Sequence, residues 1–265
     1  MAPAMTFLLT RRRMIAALGA SLATPAFAQP EPDLEVPYVP TPEELVEKML
    51  DLAAVTASDY LIDLGCGDGR IPVAAGRRGA RALGVDLDPL RLGQAHTAAR
   101  RAELQGRVSF RRQDLFATPI HEASVVALYL LPAINLRLRP RLLTELRAGA
   151  RVVSHAFDMG EWEPDARDEL DGRRIFLWHV PAVAGGSWDV AGADGSYRVL
   201  ELEQSFQRVT GTLSGNGRTA TVGGRLRGTL LNLASADGVV RLEGRIDGAE
   251  MMPVTGTAWR AVRTS

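Results

Sequence analysis

Short apolar runs alternate with amphipathic stretches through the first two thirds of the chain. Tyr60 to Leu64, Arg81 to Val85, Arg107 to Arg111, Ser124 to Leu130 and Arg151 to His155 read as strands, several of them apolar at nearly every position. Between them, Arg70 to Arg78, Pro89 to Gln105 and Leu136 to Leu146 read as helices. Apolar strands separated by helices imply a parallel sheet covered on both faces. RRIFLWHVP (173–181) predicts one more strand at the end of that sheet. Upstream, a helix is expected to run to about Ala53, with Thr41 as N-cap, Pro42 as first helical residue and Glu44 completing a capping box. Leu45, Met49, Leu50 and Leu52 supply its apolar face.

After Gly185-Gly186 the period drops to two. Val240, Leu242 and Ile246 alternate with Arg241, Glu243, Arg245 and Asp247, and Leu200, Leu202 and Phe206 are expected to point inward together. Gly-Xaa-Leu/Ile units recur at 211–213, 224–226, 228–230 and 244–246. Such punctuation predicts an antiparallel meander or small barrel. The expected fold is therefore α/β, with a Rossmann-like sheet over residues 29–183 and a small antiparallel all-β domain over 184–265.

The first 28 residues read as an export signal. Arg11, Arg12 and Arg13 precede the apolar run Met14 to Ala23, and Ala26-Phe27-Ala28 supplies a small-residue cleavage site. Thr10-Arg11-Arg12 fits the twin-arginine type, which implies a periplasmic or exported protein, or a cytoplasmic one if the signal is not used. The apolar run is too short for a stable transmembrane segment, which needs roughly 20 residues. QPEPDLEVPYVPTP (29–42) holds five prolines and reads as an extended linker.

Composition narrows the class. Among 265 residues, 31 Lys+Arg balance 31 Asp+Glu, so nothing marks the chain as a nucleic-acid binder. Lys48 is the sole lysine. One cysteine, Cys66, excludes an intramolecular disulfide, and no His/Cys cluster has metal-site spacing.

The chemistry concentrates in LIDLGCGDGRI (61–71), a strand, a glycine-rich turn and a helix start. Open parallel sheets bind ligands at such turns. A dinucleotide fingerprint wants a small residue where Arg70 stands, and no Gly-Lys-Ser/Thr is present for a Walker loop. S-adenosylmethionine fits better, because it carries an amino acid, a ribose and an adenine but no phosphate. Asp63 suits its ammonium. Asp86, 21 residues after Gly65, suits the ribose hydroxyls, and Asp114 the adenine amine. Asp68 and Asp88 have a plainer use as helix caps, but capping does not account for Asp63, Asp86 and Asp114 together.

VPYVPTP, LIDLGCGDGRIPVAA, GVDLDP, RRQDLF and GARVVSHAFDMGEWEP resemble class I methyltransferases. They are most similar to the family of the mitochondrial lysine methyltransferases that act on the ATP-synthase c subunit and the adenine nucleotide translocase. The resemblance spans roughly residues 36 to 165 and implies that Asp63, Gly65, Gly67, Asp86 and Asp114 bind the cofactor. Cys66, Gly69, Leu87 and Leu115 are further candidates beside them, and Tyr38 is expected either to close over the cofactor or to pack on the surface. Residues 184–265 have no counterpart in that resemblance, so acceptor identity does not carry over with it.

In this fold the end of the fourth strand lies beside the methyl group. Here it reads LYLLP (128–132) and not the Asn/Asp-Pro-Pro-Tyr of enzymes that methylate nucleic-acid amines. Tyr129 is the first candidate for a role toward the acceptor, with His155 and Asp158 after the fifth strand as further candidates. Each has a structural alternative: tyrosines in strands and histidines at strand ends also serve as packing. Arg137, Arg139, Arg141 and Arg147 read as a solvated helix face, with an acidic partner as the alternative. The expected function is transfer of a methyl group from S-adenosylmethionine to a protein lysine or a small-molecule amine. The competing expectation is an exported, non-catalytic nucleoside-binding module whose β domain holds an envelope partner.

Overall fold

The structure is a computed structural model that describes residues 38–193, 195–255 and 259–264; the residues read above as an export signal and the first part of the proline-rich segment lie outside the described residues. In chain order the first part comprises α1 (Glu43–Leu52), β1 (Tyr60–Leu64), α2 (Arg70–Arg77), β2 (Arg81–Asp86), α3 (Pro89–Arg101), β3 (Val108–Arg112), β4 (Val125–Leu128), α4 (Pro132–Glu145), β5 (Arg151–His155), β6 (Ala166–Leu170) and β7 (Arg173–His179).

The seven strands form one sheet in the order β3-β2-β1-β4-β5-β7-β6. The first five are parallel neighbours. Chain order reverses between β1 and β4, which opens a crevice at their carboxyl ends. The central strands β1, β4 and β5 are buried at nearly every position because both faces are covered, and successive residues go to opposite sides. Leu61, Val125 and Val153 pack with Leu45, Met49, Ala75 and Ala95 on one face. Ile62, Val126 and Val152 pack with Leu138 and Leu142 on the other. Burying one such leucine fully is worth roughly 1.5–3 kcal/mol.

Four sequence expectations need correcting. The strand at 173–181 does not end the sheet: β7 runs antiparallel between β5 and β6, and β6 forms the edge. Its sequence, ARDEL, is half-exposed and charged, so it carries no apolar signal. Thr41 does not cap α1, whose cap is Pro42 without a side-chain bond; its hydroxyl is engaged by His155 instead. β4 stops at Leu128 and α4 begins at Pro132, because Leu130 and Leu131 continue the apolar run past the strand and Pro132 is suited to a first helical turn. The arginine run on α4 is not a free solvated face. Arg141 donates to the carbonyls of Leu115, Phe116 and Thr118, and Arg139 Nη1 donates to Met159 O at 2.9 Å. Across the outer end of the sheet, Lys48 Nζ of α1 lies 2.6 Å from Asp168 Oδ2 of β6.

The rest of the chain forms β8 (Gly186–Gly192), β9 (Tyr197–Ser205), β10 (Arg208–Gly215), β11 (Arg218–Arg227), β12 (Leu230–Ser235), β13 (Arg241–Asp247), β14 (Glu250–Pro253) and β15 (Trp259–Arg263). All neighbours are antiparallel, and β15 pairs with β8 to close an eight-stranded barrel. Trp188, Leu200, Leu213, Val222, Leu226, Ile246 and Met251 fill its interior. The glycines of the repeated units have a steric reason: a Cβ at Gly211 would sit 1.9 Å from Glu201 O and one at Gly224 1.8 Å from Asn232 O. Neighbouring strands cross there too closely for any side chain. Phe206 leaves the expected alternation. Its φ of +52° turns it out of the barrel, and it packs against the core of the sheet domain.

Candidate active site

A cavity of about 400 Å³ opens at the carboxyl ends of β1 to β4, a volume suited to one small cofactor. Its floor is the turn after β1. Gly65 N and Cys66 N both donate to Val85 O at 2.9 Å, which draws the turn across the end of β2. Gly65, Gly67 and Gly69 all adopt left-handed φ. At Gly67 (φ +51°) a Cβ would also lie 2.5 Å from Cε2 of Tyr38. The bareness of this turn thus serves a protein side chain as well as a ligand.

The acids occupy one half of the cavity. Asp63 is buried, has no hydrogen-bond partner among the described residues and lines the cavity. Burial holds its carboxyl well above the usual range, and the nearby carboxylates of Asp86 and Asp68 push the same way. Such a group awaits a cation. Asp86 is aimed by the backbone: Oδ2 accepts from Gly67 N at 2.8 Å and Oδ1 from Asp88 N at 2.9 Å. Each oxygen keeps a lone pair for a hydroxyl. Asp114 Oδ1 accepts from Phe116 N at 2.8 Å, and Gln113, Leu87 and Leu115 line the wall beside it. Asp88 does cap α3, through Leu90 N at 2.8 Å. The Cys66 thiol is buried and its pKa is raised by that burial.

Residues 38–41 cross the mouth. The Tyr38 ring is held between Gly67 and the Arg91 guanidinium, 3.7 Å from the ring centroid. Burial raises its phenol pKa, and the Asp68 carboxylate adds to the rise. Arg70 pairs with Asp68, Nη2 to Oδ2 at 2.5 Å, and Nη1 donates to Thr41 O at 2.6 Å. The arginine that spoils a dinucleotide fingerprint therefore ties this segment down. The sequence marked Arg70 only as a departure and gave no sign of Arg91.

The other half is apolar and aromatic: Tyr129, Leu130, Leu131, Ile134, Phe157 and, beside Leu115, Phe116. Arg137 stacks on Phe116, its guanidinium carbon 3.8 Å from the ring centroid. Tyr129 is the one acceptor-side candidate that lines the cavity. His155 and Asp158 do not line it. His155 lies buried behind Tyr129, with ring centroids 3.8 Å apart and planes at 29°, and its Nδ1 is 3.1 Å from Thr41 Oγ1. Burial lowers its pKa to about 4, with Arg173 contributing, so it is neutral at pH 7. Asp158 is exposed and accepts from Gly160 N at 3.0 Å within its own turn.

A crossover sheet with an orphan carboxylate, a ribose-type acid and a bare turn at the ends of β1 and β2 defines an S-adenosylmethionine-dependent methyltransferase. The family model for the ANTKMT methyltransferase domain matches residues 63–166. A protein-lysine N-methyltransferase of Saccharolobus islandicus (strain REY15A) is 42% identical over 131 residues, 49% of this chain and 81% of that protein. The adenine nucleotide translocase lysine N-methyltransferase of Mus musculus is 36% identical over 162 residues, 61% of this chain and 70% of that protein. The chain belongs to this methyltransferase family. A crystal structure described as an RNA methyltransferase from Salinibacter ruber, in complex with S-adenosyl-L-homocysteine, is 48% identical with a TM-score of 0.53, covering 54% of this chain and 94% of that one.

Proposed function

We propose that the protein N-methylates lysine side chains of a protein acceptor. The observation that carries this is the two-part cavity, acids in one half and a narrow apolar, aromatic wall in the other, within a domain 42% identical to a protein-lysine N-methyltransferase. The cofactor supplies a methyl already activated on a sulfonium. Asp63 receives its ammonium, Asp86 its ribose hydroxyls and Asp114 its adenine amine; Gly65, Cys66, Gly67 and Gly69 admit it closely, with Leu87 and Leu115 against the adenine. Tyr129, Leu131 and Phe157 guide an extended aliphatic side chain and keep water out. The lysine ammonium would give its proton to bulk water before entering, and the Tyr129 hydroxyl on that wall would then hold the neutral amine for attack on the methyl.

The likeness to the Salinibacter ruber RNA methyltransferase favours a second acceptor, RNA. Against it stand LYLLP at residues 128–132 and the balanced charge of the chain. Purified protein incubated with methyl-labelled S-adenosylmethionine and either an envelope protein extract or total RNA separates the two. Label recovered as methyl-lysine is expected; label confined to RNA would overturn the lysine assignment. In the same preparation, cofactor at 100 times its dissociation constant should add about 2.7 kcal/mol of stability, and Asp86→Ala should remove the gain.

Export is part of the proposal, supported by Arg11 to Arg13, the apolar run after them and Ala26-Phe27-Ala28. Cell fractionation should find a mature chain beginning at Gln29 outside the cytoplasm. A full-length cytoplasmic chain would remove this part.

A further inference from the structure

We propose that the barrel is a positioning domain for the acceptor: its β9–β10 turn, Phe206-Gln207-Arg208, clamps residues 156–165 and so fixes the acceptor-side wall of the cavity. This rests on the assignment of the Tyr129–Phe157 half to the acceptor.

The segment leaves β5, places Phe157 in the cavity wall and makes a tight turn closed by the Met159–Trp162 bridge. Its near end is held from within the sheet domain: Ser154 Oγ donates to Phe157 O at 2.7 Å and Asn135 Nδ2 at 3.3 Å. Its far end is held twice: from β7 of the sheet domain Trp178 Nε1 donates to Trp162 O at 2.7 Å and Leu177 O accepts from Asp165 N at 2.7 Å, and the barrel takes Glu163 between them. Gln207, only 2% exposed, donates from Nε2 to Glu163 O at 2.5 Å, while its own carbonyl accepts from Leu226 N at 2.7 Å. The Glu163 carboxylate is paired with Arg208 and, at 3.3 Å, with Arg225. Arg225 also reaches Asp165 Oδ1 at 3.7 Å. Phe206 takes a left-handed φ of +52° to enter the core of the sheet domain. There the Arg139 guanidinium lies 5.3 Å from its ring centroid, with Nη1 on Met159 O.

The barrel therefore grips the turn directly at Glu163 and backs its other end only indirectly, Phe206 lying against the Arg139 of α4 that binds Met159 O. None of these contacts reaches the turns that carry Asp63, Asp86 and Asp114. The buried amide of Gln207 is informative by itself. A surface-docked domain has no need of a polar side chain enclosed at the junction and spent on one carbonyl.

The test compares the full chain with Phe206→Ala, Gln207→Ala and Arg208→Lys. Three quantities are measured: cofactor affinity by calorimetry, methyl transfer to poly-L-lysine, and amide exchange over residues 156–165. Phe206→Ala and Gln207→Ala should raise the acceptor KM about 10-fold. Cofactor affinity should stay within about twofold, and exchange in the segment should quicken. Arg208→Lys, which keeps the charge facing Glu163, should behave as wild type. Unchanged exchange, or an acceptor KM and a cofactor affinity that shift together, would overturn the proposal. Should Gln207→Ala fail to fold, Glu163→Gln loosens the same clamp from its exposed side and is read identically. A wild type that binds cofactor but methylates no lysine sinks the acceptor assignment, and the exchange measurement then decides the clamp alone.

Discussion

Asp63 shows how a binding residue can burden the protein that holds it. Its carboxyl is buried, and the carboxylates of Asp86 and Asp68 lie near, so its pKa rises above the ordinary 3.8. The folded state then binds more protons than the unfolded one, and stability is lost as pH climbs from 3.8 toward the raised value. Asp63→Asn should raise the melting temperature of the ligand-free protein near pH 7 and weaken S-adenosylmethionine binding about 100-fold, the worth of a charge-assisted bond. A lower melting temperature, or cofactor affinity left intact, would show that the carboxylate has another use. His155 runs the opposite way. With its pKa lowered from 6.5 to about 4, it withholds a proton the unfolded chain accepts. Stability should therefore fall as pH drops from 6.5 toward 4, by up to about 3 kcal/mol, and the fall should flatten in His155→Phe. Because Phe keeps the stack on Tyr129, kcat near pH 8 should stay within about threefold in that variant; His155→Ala should lower it.

Among the elements, the β1–α2 turn shows most plainly what a sequence can convey. Apolar β1, the glycines and the acids at three strand ends were legible because strand and turn patterns are local. What the turn packs against was not. Tyr38 fills the space over Gly67 from a proline-rich segment, and Thr41 reaches His155 across 114 positions. Pairings at that distance leave no periodic trace, which is why His155 looked like a residue facing the acceptor and Thr41 like a helix cap. Edge strand β6 was missed for a related reason: with only one neighbour and partial cover it needs little apolar surface. The Tyr38–Gly67 contact can be measured. Gly67→Ala should cost about 1–3 kcal/mol through strain at positive φ and the clash with the ring. Adding Tyr38→Ala should recover the steric part only, so a thermodynamic cycle with no coupling would mean the ring does not rest there.

At the scale of the whole molecule, the sheet domain carries the chemistry and the barrel lies beyond the part of the chain that the family model matches. The period of two announced a β domain, and the glycine punctuation an antiparallel meander or small barrel. The sequence left a meander and a small barrel open, and the β15–β8 pairing between the two ends of the domain decides for the barrel. The clamp was beyond the sequence, because Phe206 obeys the alternation of β9 in sequence and breaks it in space. One small feature at the far end of the sheet has a practical bearing on all of this. The ion pair between α1 and β6 engages Lys48, the sole lysine of the chain. A catalyst so nearly devoid of the residue it is proposed to modify leaves its own hydrolysate almost blank for that product. Methyl-lysine recovered from a reaction can be credited to the acceptor without separating it from the enzyme, apart from one position that a single Lys48→Arg control removes.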